Sequence, residues 1–319
     1  MIIILGREAA FRGPVVCRLL SVVSEFATRH SMNWLLEPLQ YDFIVRAMLA
    51  AIIVGIVCSI LGVYIVLRGM AFLGDAMAHT ILPGVVVAFL LGWPLAVGAL
   101  IMGVLTALGI GALTERTALK EDTAIGVIFA GFFALGVALL SARGNYSIDL
   151  AHFLFGNLLG VSWGDLVWTA ALGAIVLALI YLFYKEFLVL SFDPLLAETL
   201  RLPTRFLNHL LLMLIAVTIV VALQVVGVAL MLAILVTPAA TASFLTRRLP
   251  TMMLVSAGIG VFSGVVGVYV SYYLNIASGP AVVLVATLIF LLVLALAAAR
   301  GRWADAVAPA GSLPAPEAQ

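Results

Sequence analysis

Charge is what this chain has least of. Only 10% of its 319 residues are charged, against about 25% in soluble domains, and 65% are hydrophobic. From Leu249 to Ala299 there is no charged residue at all. Together with a mean hydropathy of +1.27 this excludes a water-soluble globule and describes a polytopic membrane protein in contact with lipid. Lysine is nearly absent: Lys120 and Lys185 are the only two, and neither follows a glycine in a phosphate-loop pattern. The chain therefore does not bind and hydrolyse ATP itself, is not expected to be an enzyme, and shows no cofactor motif. Cys17 and Cys58 stand far apart without metal-ligand spacing and read as free thiols. A net charge of +1 gives no footing for nucleic acid.

What is present is a series of long apolar runs, which predicts an all-α bundle of about eight to nine transmembrane helices. The spans are expected at about Phe43–Leu67, Met70–Leu91, from Trp93-Pro94 to near Thr114, Thr123–Ser141, and Asp165–Tyr184. Two more lie within Phe206–Leu245 with a turn near Gln224 to Gly227. A last pair lies between Leu249 and Ala299, with Asn275, Ser278, Gly279 and Pro280 supplying the break. The segment 143–163 is more polar and reads as a loop or short helix packed on the bundle. Counting nine spans places Arg68, the Glu115–Asp122 loop, Lys185, Arg201, Arg205, Arg247, Arg248, Arg300 and Arg302 together on the cytoplasmic side.

Three domains follow. Residues 1–31 are an extension: their charges come after the apolar start, which is the wrong order for a signal peptide, and their composition allows an interfacial segment. Residues 32–302 form the transmembrane domain, and residues 303–319, rich in proline, form a disordered tail.

Inside the second span stand Asp75 and His79, four residues apart. On a helix this spacing puts a carboxylate and an imidazole on one face, one turn apart. Removing such groups from water costs several kcal/mol each unless they find partners. Three uses compete: a pair that locks neighbouring helices, a proton relay, and a metal site along a membrane pathway. The hard oxygen of Asp and the borderline nitrogen of His suit manganese, zinc or ferrous iron. Two ligands are too few for tight capture, but two copies about a twofold axis bring four.

A second polar segment begins at Asp193, with Pro194 at a first helical position, Glu198 in the body and Pro203 as a stop. It describes a short surface helix that can dock a partner. His152 and His209 read as lone packed or interfacial histidines, and Gly258, Gly260, Gly264 and Gly267 as sites of close helix packing. Pro238 is expected to kink its helix.

Four stretches together resemble a known family. They are Leu67-Arg68 through Gly74-Asp75-Ala76-Met77-Ala78-His79 to Leu82-Pro83-Gly84; Leu154 to Val161; Asp193-Pro194 with Ala197-Glu198; and Val225 to Leu230 continuing through Leu235-Val236-Thr237-Pro238 to Ala242. Ser278-Gly279-Pro280-Ala281 adds a fifth. In this order, over about residues 33–300, the chain resembles the permease subunits of ABC importers for zinc, manganese and iron. The resemblance implies a permease in the cell (inner) membrane that pairs with a second copy, with two cytoplasmic ATPase subunits and with an extracytoplasmic metal-binding protein. It implies that the pathway ligands are Asp75 and His79. It also implies that Asp193, Pro194, Ala197, Glu198 and Arg201 belong to the helix that couples to the ATPase. Two positions depart from the family pattern: Ala78 where many members have Ser, and Arg201 where many have Gly.

Overall fold

The structure, a computed structural model, describes residues 37–117, 119–142 and 158–299. The expectations for residues 1–31 and 303–319, for Arg300 and Arg302, for Cys17 and for His152 with most of 143–163 lie outside those residues. Among the described residues the chain is helical throughout, with no strand. In chain order the helices are α1 (Asp42–Leu67), α2 (Leu73–Thr80), α3 (Leu82–Leu91), α4 (Leu95–Arg116), α5 (Glu121–Ser141) and α6 (Trp163–Leu182). They continue with α7 (Tyr184–Phe192), α8 (Pro194–Thr199), α9 (Thr204–Val226), α10 (Val228–Leu245), α11 (Leu249–Leu274) and α12 (Ser278–Ala299). Among the described residues nine stretches are long and apolar enough to cross a membrane, α2 and α3 together making one of them.

A helix 20 residues long rises about 30 Å, the thickness of the hydrocarbon core. Within that core apolar surface drives no helix pairing, because lipid tails are equally apolar, so helices associate by close backbone approach and interhelical hydrogen bonds. The central helix α1 uses both. A Cβ on Gly62 would collide with the Leu235 carbonyl of α10. Gly55 faces Gly260 of α11, and a Cβ on Gly260 would run into the Ser59 hydroxyl. Beside this contact Ser256 donates to the Ser59 carbonyl at 3.0 Å. Gly264 lies against Ala51, and Gly267 against Val282 of α12. Gly258 faces open space, so it is not part of this seam.

The second span differs from a single helix Met70–Leu91. It is broken at Ile81 into α2 and α3, with Pro83 in the first turn of α3. Proline has no N–H to donate to the carbonyl four residues back, which here belongs to His79. Lys185 and Glu186 follow the end of the fifth span at Leu182 and lie in the short helix α7. The break before α12 is made by Asn275, which takes a left-handed conformation (φ 52°), while Ser278, Gly279 and Pro280 already belong to the first turn of α12. Pro238 lies in the interior of α10, which runs on from Val228 to Leu245.

Alternation of the spans gathers Arg68, Glu115, Arg116, Lys120, Glu121, Asp122, Lys185, Asp193, Glu198, Arg201, Arg205, Arg247 and Arg248 at one end of the bundle. Arg46 is the one basic residue at the other end among the described residues. It is held by Asp42 at 3.1 Å and donates to the Val161 carbonyl at 3.1 Å. Exposed Trp93 and Trp163 also mark that end, where amphipathic rings suit the headgroup layer.

At the charged end the chain leaves α8 through Arg201, whose backbone is left-handed (φ 56°). Leu202 N–H closes the turn on the Ala197 carbonyl at 3.1 Å, the pattern that ordinarily ends in glycine. The departure noted at this position therefore carries a steric cost. Arg201→Gly is expected to stabilise the protein by about 1 kcal/mol, readable as a higher thermal midpoint in detergent. Gly62→Val is expected to do the reverse, destabilising by about 3 kcal/mol or more because it drives α1 off α10, with loss of the monodisperse species on size exclusion.

Candidate metal-handling site

The α2 helix begins just after Gly69, which takes φ 71° and turns the chain back from the end of α1. Asp75 falls in its first turn and His79 in its last. The two side chains share a face, as their spacing requires, and are 43% and 35% exposed. They are therefore neither buried in the protomer nor locked to another polar group on a neighbouring helix.

The imidazole geometry is specific. Its Nδ1 lies 2.9 Å from the main-chain oxygen of Asp75. A carbonyl oxygen only accepts, so Nδ1 carries the proton and the free lone pair sits on Nε2. The Asp75 carboxylate is 3.6 Å from the same Nδ1, beyond hydrogen-bonding range. The nitrogen able to bind a metal thus lies on the far side of the ring from its own chain's carboxylate. No group of three or more His, Cys, Asp or Glu that could hold a metal occurs among the described residues. Asp75 and His79 alone therefore form no closed cage.

Two aromatic rings pack on His79, and a third packs on one of them. Phe129 and Phe133 of α5 meet it edge-to-face, with centroids at 6.0 and 5.8 Å. Phe72, just before α2, meets Phe129 in the same manner at 5.7 Å. Sequence reasoning missed all three, although Phe129 and Phe133 stand four residues apart on one helical face.

The charged end carries a second polar cluster. Arg68 caps α1 and is nearly buried, with 9% of its side chain exposed. It donates to the Asn208 side-chain oxygen of α9 at 2.8 Å and lies 4.0 Å from Glu121 of α5. Burial pushes its pKa below the usual arginine value, and Glu121 opposes that shift. His209 is not the lone histidine expected. Its Nδ1 lies 2.8 Å from the Arg205 carbonyl and 3.1 Å from a Glu115 carboxylate oxygen of α4, and its ring packs against Gly111.

The short helix α8 forms as its sequence requires. Asp193 caps it, accepting from the Leu196 N–H at 3.0 Å, and Pro194 takes the first helical position. Ala197 is buried against the bundle, while Leu195, Leu196, Glu198, Leu200 and Arg201 are exposed.

Known proteins are similar to this chain in sequence and fold. Residues 40–297 match the ABC 3 transport family. The chain is 45% identical over 256 residues to the manganese transport system membrane protein MntC of Halalkalibacterium halodurans, covering 80% of this chain and 88% of that one. It is 41% identical over 258 residues to the chelated iron transport system membrane protein YfeD of Yersinia pestis, covering 81% and 86%. Among solved structures, PsaBC of Streptococcus pneumoniae in complex with Fab superposes with a TM-score of 0.69 at 37% identity, over 86% of this chain and 95% of that one. Nine apolar spans with relatives of this kind describe a multi-pass plasma-membrane protein, and the chain belongs to the ABC 3 transport family.

Proposed function

We propose that this chain is the membrane-spanning permease of an ATP-driven importer of divalent manganese or ferrous iron, with Asp75 and His79 in the ion's path. The observation that carries the reading is their setting. Each is more than a third exposed within an apolar span, so facing lipid would leave a carboxylate in hydrocarbon. A second copy about a twofold axis removes that cost and completes a four-ligand set of two carboxylates and two imidazoles. Such a donor set is borderline in softness and fits manganese and iron, the metals for which the relatives are named. Because the two ligands of one chain do not converge, the site fills when two protomers meet and empties when they part.

The charged end faces the cytoplasm, since basic residues gather there. There α8 offers Leu195, Leu196 and Leu200 to an ATPase subunit, with Glu198 and Arg201 at its rim. Asp193 and Pro194 hold this coupling helix in shape, and Ala197 anchors it to the bundle. Two ATPase subunits supply the hydrolysis, and an extracytoplasmic metal-binding protein delivers the ion to the opposite end.

Cell manganese and iron measured by mass spectrometry in a strain deleted for this gene test the reading. The wild-type chain is expected to restore the metal. His79→Ala and Asp75→Ala should each fall short by about tenfold or more, since even the groups that merely orient a ligand contribute that much. Full restoration by either variant sinks the metal role. Uptake that persists after the partner ATPase is deleted replaces it with proton-coupled transport through the same pair.

A further inference from the structure

His79 is tethered on one side only. Its Nδ1 is held by the Asp75 carbonyl at 2.9 Å, but the helix that carries it has eight residues and stops at Ile81. A single hydrogen bond leaves the ring free to tilt about its terminal torsion, which is broad for an imidazole. What limits the tilt comes from another helix. Phe129 and Phe133 of α5 stack on each other with centroids 5.8 Å apart and planes 18° apart, forming a two-ring wall. The imidazole stands nearly perpendicular to both, at 85° to Phe129 and 77° to Phe133. Phe72 meets Phe129 at 86°, tying the wall to the start of α2.

We propose that Phe129 and Phe133 are positioning residues for His79: the stacked wall holds the imidazole so that Nε2 points to the incoming divalent cation. This inference rests on the reading of His79 as a metal ligand. A flat ring is needed because the contact is edge-to-face, an arrangement set by the ring quadrupole. A leucine fills similar volume but offers no such surface. Holding the ring raises the fraction of time Nε2 is available and so acts on capture of the ion. Release and the conformational cycle do not depend on it. Loss of the wall should therefore appear in the KM of transport more than in its maximal rate.

The test is manganese uptake against external manganese concentration, in cells carrying the complete importer. Rates are scaled to the amount of permease in the membrane. Phe133 is partly exposed, which leaves room for a hydroxyl, so Phe133→Tyr keeps the ring and serves as the conservative variant. Phe133→Leu and Phe133→Ala are expected to raise KM about tenfold, the scale seen when a ligand loses the group that orients it, with a maximal rate within about twofold of wild type. Phe133→Tyr should keep KM within about twofold. A wild-type KM in Phe133→Leu overturns the proposal, leaving the ring as filler. So does a Tyr variant as impaired as the Leu variant, or a loss confined to maximal rate. His79→Ala in the same cells separates the two layers. If it transports normally, the ligand reading and this inference fall together. If it is blocked while Phe133→Leu behaves as wild type, this inference alone is overturned.

Discussion

One missing hydrogen atom organises the second span. Pro83 has no N–H, so the helix that starts at Leu73 ends at Thr80 and a new one begins at Leu82. In lipid an interrupted helix persists only where neighbouring helices or a polar cavity satisfy the freed backbone groups. The break therefore requires a packed surrounding and closes the short helix that carries Asp75 in its first turn and His79 in its last. Broken helices at the midplane are a recurrent way for transporters to bring ligands into a path that lipid-facing helices cannot provide.

Around that segment the bundle is built by subtraction of side chains. Gly55, Gly62, Gly260, Gly264 and Gly267 let α1, α10, α11 and α12 come together backbone to backbone. Ser59 and Ser256 add hydrogen bonds across the same seam, with Ser59 donating to the Ile234 carbonyl at 3.4 Å. On the other side of the molecule Gly84 and Gly98 do the same for α3 and α4, each standing where the other's carbonyl would strike a Cβ. The polar residues at the charged end work differently. Arg68 joins the end of α1 to the first turns of α9 and α5, and His209 joins α9 to α4. Both contacts lie at the start of α9, close in sequence to the surface helix α8.

Much of this is local and so was open to reading. A run of apolar residues about 20 long states a span whatever surrounds it, and the turn at Gly227 and the cap at Asp193 depend on residues within one helical turn. The Asp75–His79 relation is likewise intrahelical. What sequence reasoning could not reach depends on which helices touch. Phe129 and Phe133 matter because α5 packs beside α2, and His209 finds Glu115 because α9 packs beside α4. Gly258 looks like its neighbours in the sequence but turns outward, since a spacing of two residues on a helix leads to nearly opposite faces. The break at Ile81 is an intermediate case. Pro83 announces it, yet a proline is also tolerated at the first turn of an uninterrupted packing surface, and the apolar run on both sides conceals the joint.

The helix α5 packs on α2, α3 and α4, whereas the glycine-stitched helices α1, α10, α11 and α12 pack chiefly on one another. The ring wall and the stitched block thus belong to different packing groups of the bundle, and they meet at the charged end, where Arg68 at the cap of α1 reaches Glu121 of α5.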